Sequence, residues 1–177
     1  STCPQIIRLQ PPGMNVFRRG SALVLVLLFG LFAMGCATVA PTPVAKAREE
    51  AAVRATLTRM NEVLAKRDKA GFMALFDDSD EIMIIGSDVG EVCKGRKGVE
   101  GFIKWIYSQK FTFAFDLKEV AVHQEGDFAW VYEDGNMLHV RTDGKVTKIP
   151  YRFALTMVKR GDQWRWQLFH GSIPRGE

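Results

Sequence analysis

A histidine and a serine near the end of the chain stand at alternating positions in an aromatic segment. A β-strand would point one set of side chains to the same face of a sheet, namely Trp164, Trp166, Leu168, His170 and Ser172. A histidine in aromatic surroundings can serve as a general acid or base near neutral pH. Ser172 would hydrogen-bond to His170 or to a ligand, with satisfying backbone groups as the alternative, and it is not proposed as a nucleophile because no nucleophile elbow surrounds it. His170 is therefore a candidate catalytic residue, with a purely structural histidine as the alternative.

Two carboxylates lie in the turn-rich segment of residues 86–95, which contains three glycines. An apolar pocket around Asp88 or Glu91 would make that carboxylate a general base. Capping a turn or starting a helix is the ordinary role of such residues in a Gly-rich turn. Both residues are kept as candidate catalytic carboxylates beside His170.

Aromatic and charged residues elsewhere are candidates to line a ligand pocket. They are Trp105, Tyr132, Tyr151, Arg152, Trp166 and Ser172. The guanidinium of Arg152 would offer a fork to an anionic ligand. Because neighbouring residues of a strand point to opposite faces, Arg152 and Tyr151 cannot both face inward. The expected ligand is a small apolar or carboxylate-bearing molecule.

Other polar clusters lack the pattern of a metal or cofactor site. Asp77, Asp78 and Asp80 are followed by residues without the glycine and distal glutamate of an EF-hand loop. His123 and His139 have no carboxylate or cysteine at ligand spacing, which argues against a zinc site. The chain also has no Gly-rich phosphate loop or dinucleotide fingerprint. We therefore predict neither a metal nor a cofactor.

The elements that must position these residues follow from the hydrophobic periodicity. Residues 45–69 contain no Gly or Pro, and one apolar helix face is formed by Val53, Leu57, Met60 and Leu64. A short β-branched run over residues 82–85 predicts a strand. A second helix is predicted to end near Gln109, since its apolar residues recur at helical spacing.

The period changes from 3.6 to two after this helix. Apolar residues alternate from Phe111 to Leu117, and the phase slips before Val120, which predicts a bulge near Lys118 or Glu119. Turn signals at residues 125–127, 142–145 and 159–162 then predict long antiparallel strands. One aromatic sheet face is expected from the alternating residues Phe128, Trp130, Tyr132, Tyr151, Phe153, Trp164 and Trp166.

This order of elements predicts an α+β fold in which N-terminal helices pack on a strongly curved antiparallel β-sheet, as in a cone or α+β barrel. Pro150 favours an edge or a bulge at its position in the sheet. We expect the domain to span residues 45–177.

The first part of the chain carries most of the charge imbalance. The net charge is +4 over 177 residues, and Arg8, Arg18 and Arg19 precede Cys36 in a region without acidic residues. The remainder is close to neutral and has no Lys/Arg cluster longer than a pair. We therefore expect no nucleic-acid binding.

Residues 14–35 have the layout of a signal peptide. A basic pair precedes the apolar residues 21–34, which at about 1.5 Å per residue are too short to span a hydrocarbon core of about 30 Å. Residues 33–36 resemble a bacterial lipobox, which predicts lipidation at Cys36 and a membrane-anchored, periplasmic protein. Ordinary cleavage and secretion is the alternative. Residues 36–44 are interpreted as the tether and residues 1–13 as a mis-assigned extension.

Two local patterns resemble the SnoaL-like branch of the nuclear transport factor 2-like cone fold, over about residues 45–174. The first is residues 86–91 with Gly95 opening a helix, and the second is the ending from Trp164 to His170, Ser172 and Pro174. Relatives often carry a second histidine where this chain has Leu168, so a two-histidine site is not implied. The resemblance implies membership of a fold family that includes isomerases, dehydratases, cyclases and non-catalytic subunits.

Three functions follow as expectations. The first is a membrane-tethered domain that binds a small molecule in an apolar aromatic pocket. The second is an isomerase, dehydratase or cyclase that uses His170 with Asp88 or Glu91. The third is a homodimeric interaction module whose aromatic sheet face forms the interface.

Overall fold

The computed structural model describes residues 42–175. Its helices are α1 (Pro43–Lys66), α2 (Lys69–Met73) and α3 (Gly95–Ser108). Its strands are β1 (Met83–Ile85), β2 (Val92–Lys94), β3 (Phe111–Phe115), β4 (Ala121–Glu125), β5 (Phe128–Arg141), β6 (Val146–Arg160) and β7 (Gln163–Ser172). The predicted leader, the lipidated Cys36 and most of the tether lie outside the described residues.

Helix α1 begins earlier than predicted because its start is well capped. The Oγ1 atom of Thr42 accepts a hydrogen bond from the Ala45 amide at 3.2 Å, and Pro43 occupies the first helical turn. The predicted apolar face is confirmed, since Val53 and Leu57 are at most 1% exposed. Among residues 42–175, no helix is both long and apolar enough to cross a membrane.

The sheet has the order β2-β1-β7-β6-β5-β3, and β4 also pairs with β5. The pairing is antiparallel except between β1 and β7, which run parallel. The sheet is therefore mixed, and it curls around α1 and α3. The predicted α+β fold with helices on a strongly curved sheet is confirmed.

The predicted phase slip before Val120 corresponds to a break in one edge of the sheet. Strand β3 pairs with β5 up to Phe115 and Met137, and β4 resumes pairing at Ala121 and Tyr132. Residues 116–120 connect the two strands outside the ladder, although the Asp116 amide still donates to the Asn136 carbonyl oxygen of β5 at 3.0 Å. Pro150 lies where β6 extends past the last paired residue of β7, so it occupies an edge as predicted.

An extra residue in β7 overturns the prediction that Trp164, Trp166 and His170 share a face. Met157 of β6 pairs with Trp166, whereas the preceding Thr156 pairs with Leu168, so Gln167 forms a bulge. Before the bulge, Trp164 and Trp166 are buried. After it, Phe169 and Gly171 face the core, and His170 and Ser172 face outward.

The expected single aromatic face is also wrong. In β5, Ala129, Val131 and Glu133 point to the core. The alternate residues point outward and are 45%, 43% and 41% exposed, in the order Phe128, Trp130 and Tyr132. The sheet therefore has aromatic residues on both faces, because the aromatic positions of β5 point outward whereas those of β6 and β7 point inward.

Arg67 ties the end of α1 to the end of α3. Its backbone is left-handed, with φ of 52°, which closes the helix. Its guanidinium donates hydrogen bonds to the carbonyl oxygens of Tyr107, Gln109 and Phe111. These carbonyls belong to the connection from α3 to β3, so one side chain positions both helices relative to the sheet.

We predict that Arg67→Ala and Arg67→Gly both destabilise the domain, because each removes hydrogen bonds from a charged group, worth about 1.5–3 kcal/mol. Arg67→Gly should be more stable than Arg67→Ala by about 1 kcal/mol, since glycine adopts positive φ without strain. Urea unfolding measures both values. Equal midpoints for the two variants would show that the left-handed backbone at residue 67 carries no strain.

Candidate functional site

A cavity of about 90 Å³ lies between the helices and the concave face of the sheet. Helix α1 contributes two apolar residues, α3 contributes three more, and the sheet provides an aromatic wall. The lining residues that carry apolar or aromatic side chains are Met60, Leu64, Phe72, Ile84, Phe102, Trp105, Ile106, Phe113, Phe115, Met137, Tyr151, Trp166 and Phe169. The cavity therefore suits an apolar ligand.

The aromatic wall is a connected cluster of rings. Phe115 packs against Tyr151, Phe153 and Phe169 at centroid distances of 5.7, 5.4 and 6.0 Å. Trp166 continues the cluster through a stacked contact with Phe169 at 6.3 Å. Such contacts fix the orientation of each ring, so the wall is rigid before any ligand binds.

Tyr151 is the main polar group of the cavity. Its side chain reaches across to β7, where a Cβ atom on Gly171 would lie only 1.8 Å from the Tyr151 hydroxyl oxygen. Burial raises the pKa of Tyr151 to about 12, against the opposing hydrogen bond with Ser87, and the negative charge of Glu91 adds to the rise. The hydroxyl therefore stays protonated and can donate or accept a hydrogen bond.

Glu91 lines the cavity beside Tyr151 and also closes the turn after β1. Its carboxylate accepts a hydrogen bond from the Asp88 amide at 3.0 Å. It folds over Gly86, where a Cβ atom would lie 2.1 Å from Glu91 Oε2. Glu91 thus has the turn-forming role that the sequence predicts as the alternative, and it also lines the cavity.

The structure brings four of the predicted site residues to the cavity: Glu91, Trp105, Tyr151 and Trp166. Trp105 is 48% exposed and forms part of the rim. Trp166 lies in the inner wall, and its indole N–H donates to Thr56 Oγ1 at 3.0 Å. Asp88 is exposed and is not a lining residue.

The remaining predicted residues lie on the outer face of the sheet. His170 is exposed and pairs with Ala154, and Ser172 pairs with Arg152. Arg152 forms an exposed ion pair with Asp134 at 2.9 Å. With Tyr132 also facing outward, these residues do not meet Glu91 in one cavity. The bulge at Gln167 is the physical reason why His170 and Ser172 face outward.

Sequence reasoning missed Glu133, a charged residue on the inner face. Glu133 is 1% exposed, and its Oε1 atom has no hydrogen-bond partner among residues 42–175. Burial raises its pKa to about 7, with a further contribution from the negative charge of Asp116. Its alternation with Ala129 and Val131 is the available signal, but a sheet face built from Phe128, Trp130 and Tyr132 as the inner one leaves Glu133 on the solvent side.

Metal-ligating side chains do not cluster in the part of the chain that is described. No three His, Cys, Asp or Glu residues lie close enough together there to hold a metal ion. The thiol of Cys93 is free and half-buried, and burial raises its pKa, with the negative charge of Glu91 adding to the rise.

The order of the elements, the curled sheet and the internal cavity define a protein of the cone-fold class. The sequence profile of the SnoaL-like domain matches residues 53–176, and the chain belongs to this family. No curated protein matches the sequence.

Solved structures share the fold at low sequence identity. A proposed dehydratase of the NTF2-like family from Streptomyces avermitilis is 18% identical, with a TM-score of 0.65 over 74% of this chain and 99% of that chain. An NTF2-like protein of unknown function from Pseudomonas putida is 20% identical, with a TM-score of 0.62 over 73% and 89%. A proposed aromatic ring hydroxylase from Novosphingobium aromaticivorans is 16% identical, with a TM-score of 0.63 over 77% and 94%.

We predict that Glu133 makes the domain less stable as pH rises. The pKa of Glu133 is about 7 in the folded state against 4.5 for a free glutamate, so the folded protein binds more protons between these values. Stability is therefore lost from pH 4.5 to 7 and stays lower above pH 7. Glu133→Gln lacks this loss and should gain about 3 kcal/mol relative to the parent between pH 4.5 and pH 8.

Chemical unfolding across this pH range measures the difference, with Glu119→Gln as the control. Glu119 is exposed, so its substitution removes the same charge without changing a buried group. Stability curves of parent and Glu133→Gln that run parallel from pH 4.5 to pH 8 would contradict the raised pKa of Glu133.

Proposed function

We propose that this protein is a membrane-tethered, periplasmic domain that binds a compact apolar molecule carrying one hydrogen-bonding group. The observation that supports this most is the cavity itself, in which the protonated phenol of Tyr151 stands in a mostly apolar, aromatic wall, with Ser87 and Glu91 on one side. Apolar surface supplies affinity in such a site, and one polar group orients the ligand.

The size of the cavity restricts the ligand. A cavity of about 90 Å³ holds a short chain or a small ring rather than a large polycyclic molecule. Trp105 and Phe102, whose rings are 6.3 Å apart, stand on α3 beside the cavity, and Trp105 is half-exposed. The ligand would therefore insert its apolar end and leave any larger group at the rim near Trp105.

The membrane attachment belongs to the same proposal. Arg18 and Arg19 followed by the apolar residues 21–34 support export, and the lipobox-like residues 33–36 support lipidation at Cys36. Secretion after ordinary cleavage is the alternative, and it leaves the binding function unchanged.

An isomerase, dehydratase or cyclase is the enzymatic alternative. The proposed dehydratase from Streptomyces avermitilis shares the fold, but fold likeness alone does not carry an activity. His170 faces away from the cavity, so a reaction there would have to use Glu91 as the base and Tyr151 as the proton donor. Binding without turnover needs no such step and is the simpler proposal.

The test of ligand binding compares p-cresol with toluene, because the two molecules differ only in one hydroxyl group. Both should raise the melting temperature, and p-cresol should do so more because it can hydrogen-bond with the Tyr151 hydroxyl. A ligand at 100 times its Kd stabilises by about 2.7 kcal/mol. Tyr151→Phe should abolish the advantage of p-cresol over toluene.

His170→Ala is the matched control, since His170 is exposed on the opposite face of the sheet. It should leave both ligand shifts unchanged. If neither molecule stabilises the parent, or if His170→Ala removes the shift while Tyr151→Phe keeps it, the cavity is not the binding site.

A second candidate function is self-association through the outer aromatic stripe, defined as Phe128, Trp130 and Tyr132. These side chains are 45%, 43% and 41% exposed along one strand, and His123 stacks on Trp130 at 5.2 Å. A two-fold interface places the same surface of both subunits in contact, so the stripe of one copy would cover that of the other. Burying it would remove an exposed apolar patch from water.

We predict that the protein sediments as a dimer and that Trp130→Lys converts it to a monomer, because a lysine at the centre of the stripe would be desolvated on association. Val146→Lys is the control, since Val146 is also an exposed apolar residue but lies outside the stripe. Analytical ultracentrifugation distinguishes the two states. A parent that remains monomeric at all concentrations tested rejects this candidate function.

A further inference from the structure

The break between β3 and β4 opens a second concave site, which we call the β3–β4 notch. Its volume is about 250 Å³, and it shares no lining residue with the apolar cavity. It is lined by Asp116, Lys118, Glu119, Glu133, Asp134, Gly135 and Asn136. Four of these residues are acidic and one is basic, so the notch has a negative lining.

Glu133 gives the notch a buried carboxyl group. The side chain lies along β5 over Gly135, where a Cβ atom would be 2.7 Å from Glu133 Oε1. Glycine at residue 135 therefore leaves the space that the carboxyl group occupies. Oε1 is buried and has no partner within residues 42–175, so a residue of the notch lining carries an oxygen that needs a hydrogen-bond donor.

Two of the other acidic groups at the notch, Asp134 and Asp116, already have cationic partners. Asp134 is paired with Arg152 at 2.9 Å. Asp116 has two looser contacts, with Lys118 at 3.5 Å and with Lys148 of β6 at 3.8 Å. No ion pair joins either lysine to Glu133 in the described structure.

Helix α1 also packs near this region without supplying a partner for Glu133. Arg54 of α1 donates to the Val120 carbonyl oxygen at 2.8 Å, which places its guanidinium at the end of the bridging segment. The residues facing Glu133 from within the sheet are aromatic or apolar, with Phe153 directly opposite it on β6. Residues 42–175 supply no donor to Glu133 Oε1, so the position is open to a donor group of a ligand.

We propose that the β3–β4 notch binds a small organic cation, a primary amine whose ammonium group donates a hydrogen bond to Glu133 Oε1. An ammonium ion supplies both the N–H donor that this oxygen lacks and the positive charge that suits the lining. A metal ion fits less well, since no three metal-ligating side chains converge in residues 42–175. This site does not depend on the ligand proposed for the apolar cavity.

Amine binding should be linked to proton release. With its pKa of about 7, Glu133 is partly protonated at neutral pH, and an ammonium ion favours the ionised form. The negative charges of Asp116, Glu119 and Asp134 attract the amine but oppose ionisation of Glu133, whereas the positive charges of Lys118, Lys148 and Arg54 do the reverse. Binding should therefore strengthen as the pH rises through 7.

The experiment uses the full chain with n-butylammonium chloride as the probe and n-butanol as its neutral counterpart. Affinity is measured by calorimetric titration at pH 8 and pH 5.5 at one ionic strength. We expect n-butylammonium to bind at pH 8, n-butanol to leave the notch empty, and the affinity at pH 5.5 to be about thirtyfold weaker. Carbon-13 NMR of the glutamate carboxyl groups should show the pKa of Glu133 falling when the amine is present.

Glu133→Gln is the decisive variant, and Glu119→Gln is its matched control. Both remove one carboxylate from the notch, but only the first removes the buried carboxylate. We expect Glu133→Gln to weaken n-butylammonium binding at least about tenfold, which corresponds to 1.4 kcal/mol, and Glu119→Gln to change it by less than about threefold. Melting curves confirm that Glu133→Gln is folded, and p-cresol binding in the same samples reports on the apolar cavity independently.

Several results would overturn the proposal. Equal affinity of the parent and Glu133→Gln for n-butylammonium would show only non-specific attraction to the acidic lining. Binding of Ca²⁺ or Mg²⁺ in place of the amine would show a metal site. Amine binding that appears only in Lys118→Met would show that Lys118 itself occupies the notch.

Discussion

The extra residue in β7 determines the interior of this domain. With Gln167 bulged out, Trp166 and Phe169 both point to the core, although a regular strand would turn them to opposite faces. These two rings stack on each other and form the wall against which α1 and α3 close the cavity. Without the bulge, Leu168 would replace Phe169 opposite Leu155, His170 would replace Gly171 opposite Phe153, and the aromatic cluster around Phe115 would lose a ring.

Two glycines on the inner face of the sheet admit the two large polar side chains there. Gly171 leaves space for the hydroxyl end of Tyr151, and Gly135 leaves space for the carboxyl group of Glu133. Each polar residue extends over a neighbouring glycine instead of standing upright over its own position. The domain thus keeps one phenol at its cavity and one carboxyl at its notch, and the glycines make both compatible with a packed core.

The parts of the fold that follow local rules were predictable from the sequence. The apolar spacing from Val53 to Leu64 identified the buried face of α1, and the Gly- and Asp-containing turns located the connections between β4, β5, β6 and β7. Which face of a strand points inward was not predictable, because both faces of this sheet carry aromatic residues. A one-residue bulge reverses that choice and leaves no mark in the alternating pattern, which is why the sequence places His170 at the site wrongly. Glu133 is missed because the aromatic residues of β5 are on the outer face. The predictions for Glu91, Trp105, Tyr151 and Trp166 do not depend on the bulge, and these residues line the cavity.

The position of β7 inside the sheet has a consequence for the order of folding. Strand β7 lies between β1 and β6, so the sheet consists of two separate parts until β7 joins them, one of β2 and β1 and the other of β6, β5, β3 and β4. The pairing of Met83 with Leu168 connects segments that are far apart in the sequence, and such non-local contacts form slowly. The two parts of the sheet therefore cannot be joined before β7 has been synthesised. For the exported protein proposed above, this late closure would leave the sheet incomplete during synthesis, which favours passage of the chain across a membrane.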